Sequence, residues 1–407
     1  IYRFLVVMKV IHKSYKFKIA PDKEQKSLLA KHFGACRFVF NRYLSSRKET
    51  YLEQKKSLNY YDNANDLTVL KKEEQFVWLK EINAQSLQSS LKNLDISYNR
   101  FFRKQTQFPR FKSKCDRQSF TVPQWVYIED SKLLISKFKS GIEMNLHRKI
   151  EGKLLFATLS KSTTGKYYVS VTCEVEHIPF EKTHSKIGID TGIKDLAILS
   201  DGKVYENIKT LKNNLKKLKY QQRQLSKKIK GSNSRLKQKS KLATVHEKVS
   251  NIRKDYLHKV STEIIKNHDV ICIEDLAVKN MMKNRKLAQA FSDVSLGTFY
   301  TILAYKANWN KKTIVKINRF FPSSKTCSNC NHLNQELTLK DRKWTCQRCN
   351  TVHNRDSNAS INIKNQGLKI WSGLGTNSDI KQKRSKALPL GESKTFEATP
   401  ISYAVDR

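Results

Sequence analysis

Two Cys-x-x-Cys pairs, Cys327/Cys330 and Cys346/Cys349, lie fifteen residues apart in a chain of 407. Thiols at that spacing converge on one tetrahedral centre through two tight turns, the arrangement of a zinc ribbon. The segment between the pairs must double back on itself, which restricts local folding more than any other stretch of the chain. Asn331 and Asn350 directly follow the second cysteine of each pair, where a left-handed residue is often needed, and asparagine tolerates that conformation better than most. Four thiolates close the coordination sphere, so one structural Zn2+ is expected there rather than a catalytic ion. The other cysteines, Cys36, Cys115, Cys173 and Cys272, are scattered singly. That is no secreted disulfide framework, and it points to a cytoplasmic chain.

Charge narrows the class of partner. Lys and Arg total 78 against 36 Asp and Glu, a net charge of +42. A chain so self-repelling calls for a polyanion. Hydrophobic residues at 39% are enough for real cores and too many for a wholly disordered basic protein. No apolar run approaches the roughly 18 residues of a membrane span, so no membrane partner is expected. The opening residues 1–11 are apolar but interrupted by Arg3 and Lys9, with no small-residue cleavage site after them. Met8 reads as a better natural start than Ile1. Membrane, secreted and small-molecule functions are all disfavoured.

Along the chain, residues 13–20 (KSYKFKIA) alternate as a strand and stop at Pro21-Asp22, where a capped helix is expected. Helical spacing follows to about residue 104, carried by Leu28, Leu29, Phe33, Cys36, Phe40 and Tyr43, then by Leu87, Leu91, Leu94, Tyr98 and Phe101. The polar stretch 59–66 reads as the turn between helices. From Phe108-Pro109-Arg110-Phe111-Lys112 onward, short β-type runs appear at 119–122, 125–128, 132–135, 153–159 and 167–174. Turn signals at Ser140-Gly141 and Thr164-Gly165 separate them. They are expected to form a small β-barrel that the first strand joins, with the helical segment as an insertion. Residues 186–190 (KIGID) and 196–199 make a second β unit. Between Asn207 and His246 no acidic residue occurs, while residues 209–241 hold 13 Lys and Arg. Leu211, Leu215, Leu218, Leu225 and Ile229 keep a heptad seam that Leu242, Val245, Val249, Ile252 and Tyr256 resume after Gly231-Ser232-Asn233. Two antiparallel basic helices are the expectation. Residues 270–273 form an apolar run suited to a strand buried on both faces.

Three acids stand in distinctive places. Asp190 ends one apolar strand and Glu274 another, while Asp356 lies just past the cysteine pairs at the start of an expected helix. Carboxylates at the ends of adjacent central strands, joined by one from a helix, can hold two Mg2+ ions for phosphodiester hydrolysis.

Together these residues resemble the TnpB family, transposon-encoded RNA-guided endonucleases related to the type V CRISPR effectors. The resemblance spans nearly the whole chain. It rests on residues 15–25, Gly34-Ala35-Cys36-Arg37-Phe38-Val39-Phe40-Asn41, Phe108 to Lys112 and Arg117-Gln118-Ser119-Phe120. Further matches are Ile187-Gly188-Ile189-Asp190-Thr191-Gly192-Ile193, Ile273-Glu274-Asp275-Leu276, Phe321-Pro322-Ser323-Ser324-Lys325-Thr326-Cys327 and Arg355-Asp356-Ser357-Asn358-Ala359. The implied architecture combines α/β and all-β parts: an RNase H-like RuvC nuclease with an inserted zinc ribbon, and a β-barrel wedge interrupted by a helical recognition domain. Its implied boundaries are 8–20 and 107–183 for the wedge, 21–106 for recognition, 184–326 and 351–372 for the nuclease, 327–350 for the ribbon, and 373–407 for a basic mobile tail.

The resemblance implies that Asp190, Glu274 and Asp356 bind catalytic Mg2+ and that Cys327, Cys330, Cys346 and Cys349 bind Zn2+. It implies a guide RNA and a double-stranded DNA target as partners, one protein copy in the particle, and a place at the prokaryotic nucleoid when DNA-bound. Lys216, Lys217, Lys227 and Lys228 on the basic helices, Arg110 and Lys112 beside the aromatics, and Gln85 and Gln88 on a polar helix face are candidates for nucleic-acid contact. Phe33, Phe38, Phe40, Tyr98, Phe101 and Phe102 are read as core. Asn354 departs from the aspartate that often precedes the Arg-Asp pair. Acids in the order Asp, Glu, Asp argue against a DNA transposase with the order Asp, Asp, Glu. No His-hydrophobic-His motif with a partner tyrosine supports a single-strand transposase. Three filled acidic positions argue against a non-cutting repressor, whereas a compact type V CRISPR effector would share this chemistry.

Overall fold

The computed structural model describes residues 8–338 and 340–373. Two compact units form, one from Val10–Glu176 and one from the residues after it together with Lys9. Of the expected tail, only Gly373 is among the described residues.

The first unit opens with β1 (Lys9–Ile19), which buries Tyr15, Phe17 and Ile19 on one face. Asp22 then starts α1 (Lys23–Gln54): its carboxylate accepts the Gln25 amide, and the Gln25 side chain accepts the Asp22 amide in return. This capping box satisfies two amides that lack partners inside the helix. Residues 59–66, expected as a turn, instead begin a helix, α2 (Tyr60–Leu70). The Asn59 side chain accepts the Tyr61 and Asp62 amides, and Asp62 answers the Asn59 amide, so the polar residues cap while Leu67 and Leu70 supply the buried face. A 3-10 turn over Glu74–Glu81 leads to α3 (Ala84–Phe102), which buries Leu87, Leu91 and Leu94 and packs on α1 and α2.

Six strands follow: β2 (Gln118–Val122), β3 (Val126–Glu129), β4 (Lys132–Ile135), β5 (Phe138–Glu143), β6 (Lys153–Lys161) and β7 (Tyr167–His177). They divide between two sheets, one ordered β1-β7-β6-β2 and one ordered β3-β4-β5, joined by a bridge between Ile19 and Met144. The first strand thus joins its sheet across the intervening helices. Ser140-Gly141 is not a turn but lies within β5. The β3–β4 reversal falls at Asp130-Ser131, with φ of 46° and 59°. Two consecutive left-handed residues are what a two-residue type I′ hairpin requires.

The second unit is built on β8 (Lys186–Asp190), β9 (Asp195–Leu199) and β10 (Val204–Glu206), then the basic pair α4 (Thr210–Ser226) and α5 (Asn233–Asn267). Next come β11 (Val270–Glu274), α6 (Val278–Met281), α7 (Ala288–Val294), α8 (Leu296–Trp309) and β12 (Thr313–Ile317). The small hairpin β13 (Lys343–Thr345) and β14 (Val352–Asn354) precedes α9 (Arg355–Trp371). The main sheet is ordered β10-β9-β8-β11-β12, with β8, β11 and β12 parallel to one another and β9 antiparallel to both of its neighbours, β8 and β10. As its uniform apolarity foretold, β11 is buried on both faces: Ile271 and Ile273 join the core beneath α5 and α8, and Val270 and Cys272 join the core beneath α9.

Helix α9 approaches its strands closely because glycines leave room. A Cβ on Gly188 in β8 would lie 2.1 Å from the Ser360 carbonyl oxygen, and one on Gly367 in α9 would lie 2.4 Å from Cys272 Sγ. The helical seam holds through Leu218, Val245 and Val249, but Ile229 falls past the end of α4 and is 81% exposed. Among the described residues no helix is long and apolar enough to cross a membrane.

Candidate functional site

Asp190 is the last residue of β8 and Glu274 the last of β11. These neighbouring strands run parallel, with Ile189 opposite Ile273, so both acids emerge at the same edge of the sheet. Such carboxyl ends are where open α/β sheets place their ligands. Asp356 sits in the first turn of α9, where the helix dipole favours a negative charge. Asn354 is the cap of that helix, accepting the amides of Asp356 and Ser357 at 3.1 and 3.3 Å. An asparagine here does the work an aspartate would do, and Asp356 keeps its place.

The Asp190 carboxyl is pushed up to about 7, first by burial and then by the charges of Glu274 and Asp356, with Arg355 acting the other way. Burial also raises Glu274, against the Ser323 hydroxyl that donates to its Oε1 at 2.6 Å. Arg342 Nη1 and Arg355 Nε donate to Asp356 at 3.0 and 3.2 Å. At the residue after Asp190, the Thr191 hydroxyl lies 2.5 Å from that of half-buried Tyr300. The charges of Glu274, from a neighbouring strand, and of Asp356, from a helix, thus both act on Asp190. Asp190 and Glu274 offer only carboxylate oxygens at these strand ends, the donor type that hard divalent cations take. The roles of Ser323, Arg342 and Tyr300 were not foreseen. Ser323 lies within a motif read for family likeness, but Arg342, inside the ribbon, carries no sequence signal beyond its charge.

Among the described residues, the four cysteine sulfurs are the one group of ligand atoms all within 4.8 Å of one another. Cys327 and Cys349 Sγ are 3.6 Å apart, as are Cys330 and Cys346 Sγ, close to the roughly 3.8 Å edge of a tetrahedral thiolate zinc site. The two turns match each other. Asn331 donates to the Cys327 carbonyl and Asn350 to the Cys346 carbonyl, both at 2.9 Å, with φ of 61° and 53°. The left-handed asparagines expected from sequence are in place. His353 adds an Nε2 contact to Cys327 Sγ at 3.0 Å while its ring packs 4.7 Å from Trp344. The four sulfurs fit a structural zinc.

Lys216, Lys217, Lys227 and Lys228 are all exposed on or just beyond α4. Arg110 and Lys112 are exposed as well. Arg110 pairs loosely with Asp116 at 3.5 Å, and Lys112 Nζ stands 3.8 Å from the Phe40 ring centre. Reciprocal 2.8 Å bonds between the Asn41 side chain and the Lys112 backbone fix that loop to α1. Gln88 is exposed, whereas Gln85 is half-buried and donates to Gln124. Phe33 and Phe40 are core residues as expected. Phe102 is not: it is 68% exposed and stacks on Tyr98 beside Phe101 and the exposed Phe108.

Residues 170–285 match the OrfB_IS605 family, described as "Probable transposase", and residues 297–363 match the Cas12f1-like TNB domain. A Streptomyces pristinaespiralis protein named "Putative RNA-guided DNA endonuclease" is 34% identical over 366 residues, covering 89% of this chain and 91% of its own. InsQ of Escherichia coli K12, with the same description, is 36% identical over 375 residues, covering 88% and 92%. The chain belongs to the TnpB family. In this TnpB-family chain the TNB match takes in all four cysteines and Asp356. A third match, residues 8–56 to a helix-turn-helix domain, corresponds in three dimensions to β1 and the single helix α1. A Cas12f1 solved with sgRNA and target DNA aligns with a TM-score of 0.54 at 14% identity, covering 87% of this chain and 99% of that one. The chain thus shares the fold of that Cas12f1.

Proposed function

We propose that this chain is an RNA-guided DNA endonuclease that cuts guide-paired DNA with Asp190, Glu274 and Asp356. It would bind a guide RNA from its mobile element and recognise a short motif beside the target. The observation that carries this reading is the placement of Asp190 and Glu274 at the ends of the parallel strands β8 and β11, with the charge of Asp356 from α9 also acting on Asp190, in a chain of net charge +42. The names of the S. pristinaespiralis and E. coli relatives support it.

Asp190, Glu274 and Asp356 would hold Mg2+, which when bound activates water and stabilises the leaving oxygen of a phosphodiester. The protein's own share is to hold and neutralise. Burial, and then the charges of Glu274 and Asp356, hold the Asp190 carboxyl above the ordinary carboxylate range, and burial raises Glu274 as well. Arg342 and Arg355 balance the charge of Asp356, and the glycine-lined seat of α9 carries Asp356 to the strand ends. Cys327, Cys330, Cys346 and Cys349 would hold one Zn2+ that folds the ribbon. The sheets around residues 8–20 and 107–183 would be the wedge and residues 21–106 the recognition domain. Residues 184–326 and 351–372 would be the nuclease, with the ribbon at 327–350. The exposed lysines of α4 and the open aromatic cluster at Phe102 would meet RNA or DNA backbones and bases, a heteroduplex being read by shape and phosphate contacts.

Expression with the native flanking DNA, followed by sequencing of the co-purified RNA, tests the reading. One structured RNA ending in sequence from outside the element supports a transposon-borne guided nuclease. RNA derived from repeats would place the chain among CRISPR effectors with the same chemistry, and no discrete RNA would overturn guidance. Asp190→Ala in the reconstituted particle is expected to bind target DNA and fail to cut it.

A further inference from the structure

The turn that enters the zinc ribbon also grips a nuclease carboxylate. Ser323 is buried, and its hydroxyl donates to Glu274 Oε1 at 2.6 Å across 49 residues of chain. The turn bearing Ser323 is fixed from both sides. Thr326 closes it by donating from its amide and hydroxyl to the Pro322 carbonyl at 3.0 and 2.9 Å. From α9, buried Asn362 donates to the Ser323 carbonyl at 2.8 Å and to the Thr326 carbonyl at 2.5 Å. Buried Asn358 also donates to Thr326, at 2.7 Å, and accepts the Ser328 amide at 2.9 Å. The next residue after Thr326 is Cys327, the first thiol of the ribbon. One helix therefore carries Asp356 and, two and six residues later, the two asparagines that clamp the bracket holding Glu274.

We propose that Ser323 is a positioning residue for Glu274, and that the base of the ribbon thereby sets where the Glu274 carboxylate sits relative to α9, the helix that carries Asp356. The proposal rests on the reading of Glu274 as a divalent-cation ligand. A carboxylate that coordinates a cation through one oxygen is oriented by the hydrogen bond that its other oxygen accepts. Groups that orient ligands in this way typically change metal affinity about 10- to 100-fold when removed. A hydroxyl donating to a charged carboxylate is also among the stronger neutral-to-ion hydrogen bonds. Nothing in this network touches the basic helices, so its loss should leave nucleic-acid binding alone.

The test uses the full-length ribonucleoprotein, with Fe2+ replacing Mg2+ and ascorbate driving local cleavage of the polypeptide beside the bound ion. Fragments are mapped by mass, so ions held by the RNA do not interfere. Wild-type particles are expected to break near residues 190, 274 and 356. Ser323→Ala should raise the Fe2+ concentration for half-maximal breakage about tenfold or more, with an equal rise in the Mg2+ needed for DNA cutting. Ser323→Thr, which keeps the hydroxyl, should stay within about threefold of wild type. Guide RNA content, zinc content and target binding should not change in either variant. Ser323→Cys, similar in size but a weak donor, covers the case in which alanine fails to fold, and should also raise the half-maximal Fe2+ concentration. Wild-type metal dependence in both Ser323→Ala and Ser323→Cys would overturn the proposal, as would a Ser323→Thr variant no better than alanine. If Glu274→Gln also leaves Fe2+ breakage and DNA cutting untouched, the carboxylate reading falls and takes the proposal with it.

Discussion

The Asp293 carboxylate accepts the backbone amide of Leu211 at 2.8 Å, capping a helix that begins more than eighty residues earlier. It also accepts the Lys212 amide at 2.9 Å, and Arg253 of α5 reaches it at 3.4 Å. Lys209, the left-handed residue before α4, makes no side-chain cap of its own, so the first amides of α4 are satisfied from α7. Both basic helices are thus anchored at one buried acid.

Asp293→Ala should destabilise the second unit by about 3 kcal/mol, combining the loss of a cap with a guanidinium left short of its charge partner. Arg253 keeps its bond to Ser295, which limits the loss. Hydrogen exchange at the Leu211 and Lys212 amides should accelerate before exchange in β11 does. Unchanged protection at those amides would refute the capping role.

Gly188→Ala forces a methyl group to within 2.1 Å of a backbone oxygen of α9, and neither backbone can yield cheaply. The expected cost is about 3 kcal/mol or more, with loss of DNA cutting because α9 carries Asp356. Gly34→Ala in α1, with nothing within 4 Å of the new methyl, should instead gain up to about 1 kcal/mol from helix propensity. Urea unfolding of the two variants separates the cases.

Without Mg2+, the protein should lose stability as pH rises from about 4 to 7. Folded Asp190 holds its proton up to about 7, whereas an unfolded aspartate releases it near 3.9. Between these values the native state binds more protons than the unfolded one, so stability falls with pH and levels off above 7. The full shift corresponds to something on the order of 4 kcal/mol. Asp190→Asn, neutral throughout, should flatten this profile and melt higher than wild type at pH 8 in Mg2+-free, zinc-retaining buffer. A wild-type melting profile that is level across this range would contradict the burial of charge at Asp190.

Replacing Lys216, Lys217, Lys227 and Lys228 by alanine should weaken binding evenly across target sequences. For every phosphate that one of these lysines neutralises, its removal should lower the slope of log affinity against log salt by roughly 0.9 on duplex DNA. Filter binding between low and physiological salt reads that slope directly, and an unaltered slope would reassign these lysines to a solvated face.

Spacing along the chain was enough for features whose partners lie within a few residues. The left-handed Asn331 and Asn350, the capping box at Asp22, the doubly buried β11 and the break before α5 all follow from short-range geometry and periodicity. Polar composition alone misled at residues 59–66, because Asn59 and Asp62 are as fit to cap a helix as to make a turn, and buried Leu67 and Leu70 decide between them. Ile229 continued a seam on paper, yet α4 ends at Ser226 and leaves it in water. Asp190, Glu274 and Asp356 could be named from their places after apolar strands and before a helix, although their coupling could not. That coupling depends on β8 and β11 lying side by side and on α9 settling against Gly188. Ser323 beside Glu274, Asp293 above Leu211 and Arg342 on Asp356 likewise join residues 14 to 82 positions apart. Local propensity carries no information about which distant groups meet, and only the closing of the chain around its cores brings those atoms within hydrogen-bonding distance.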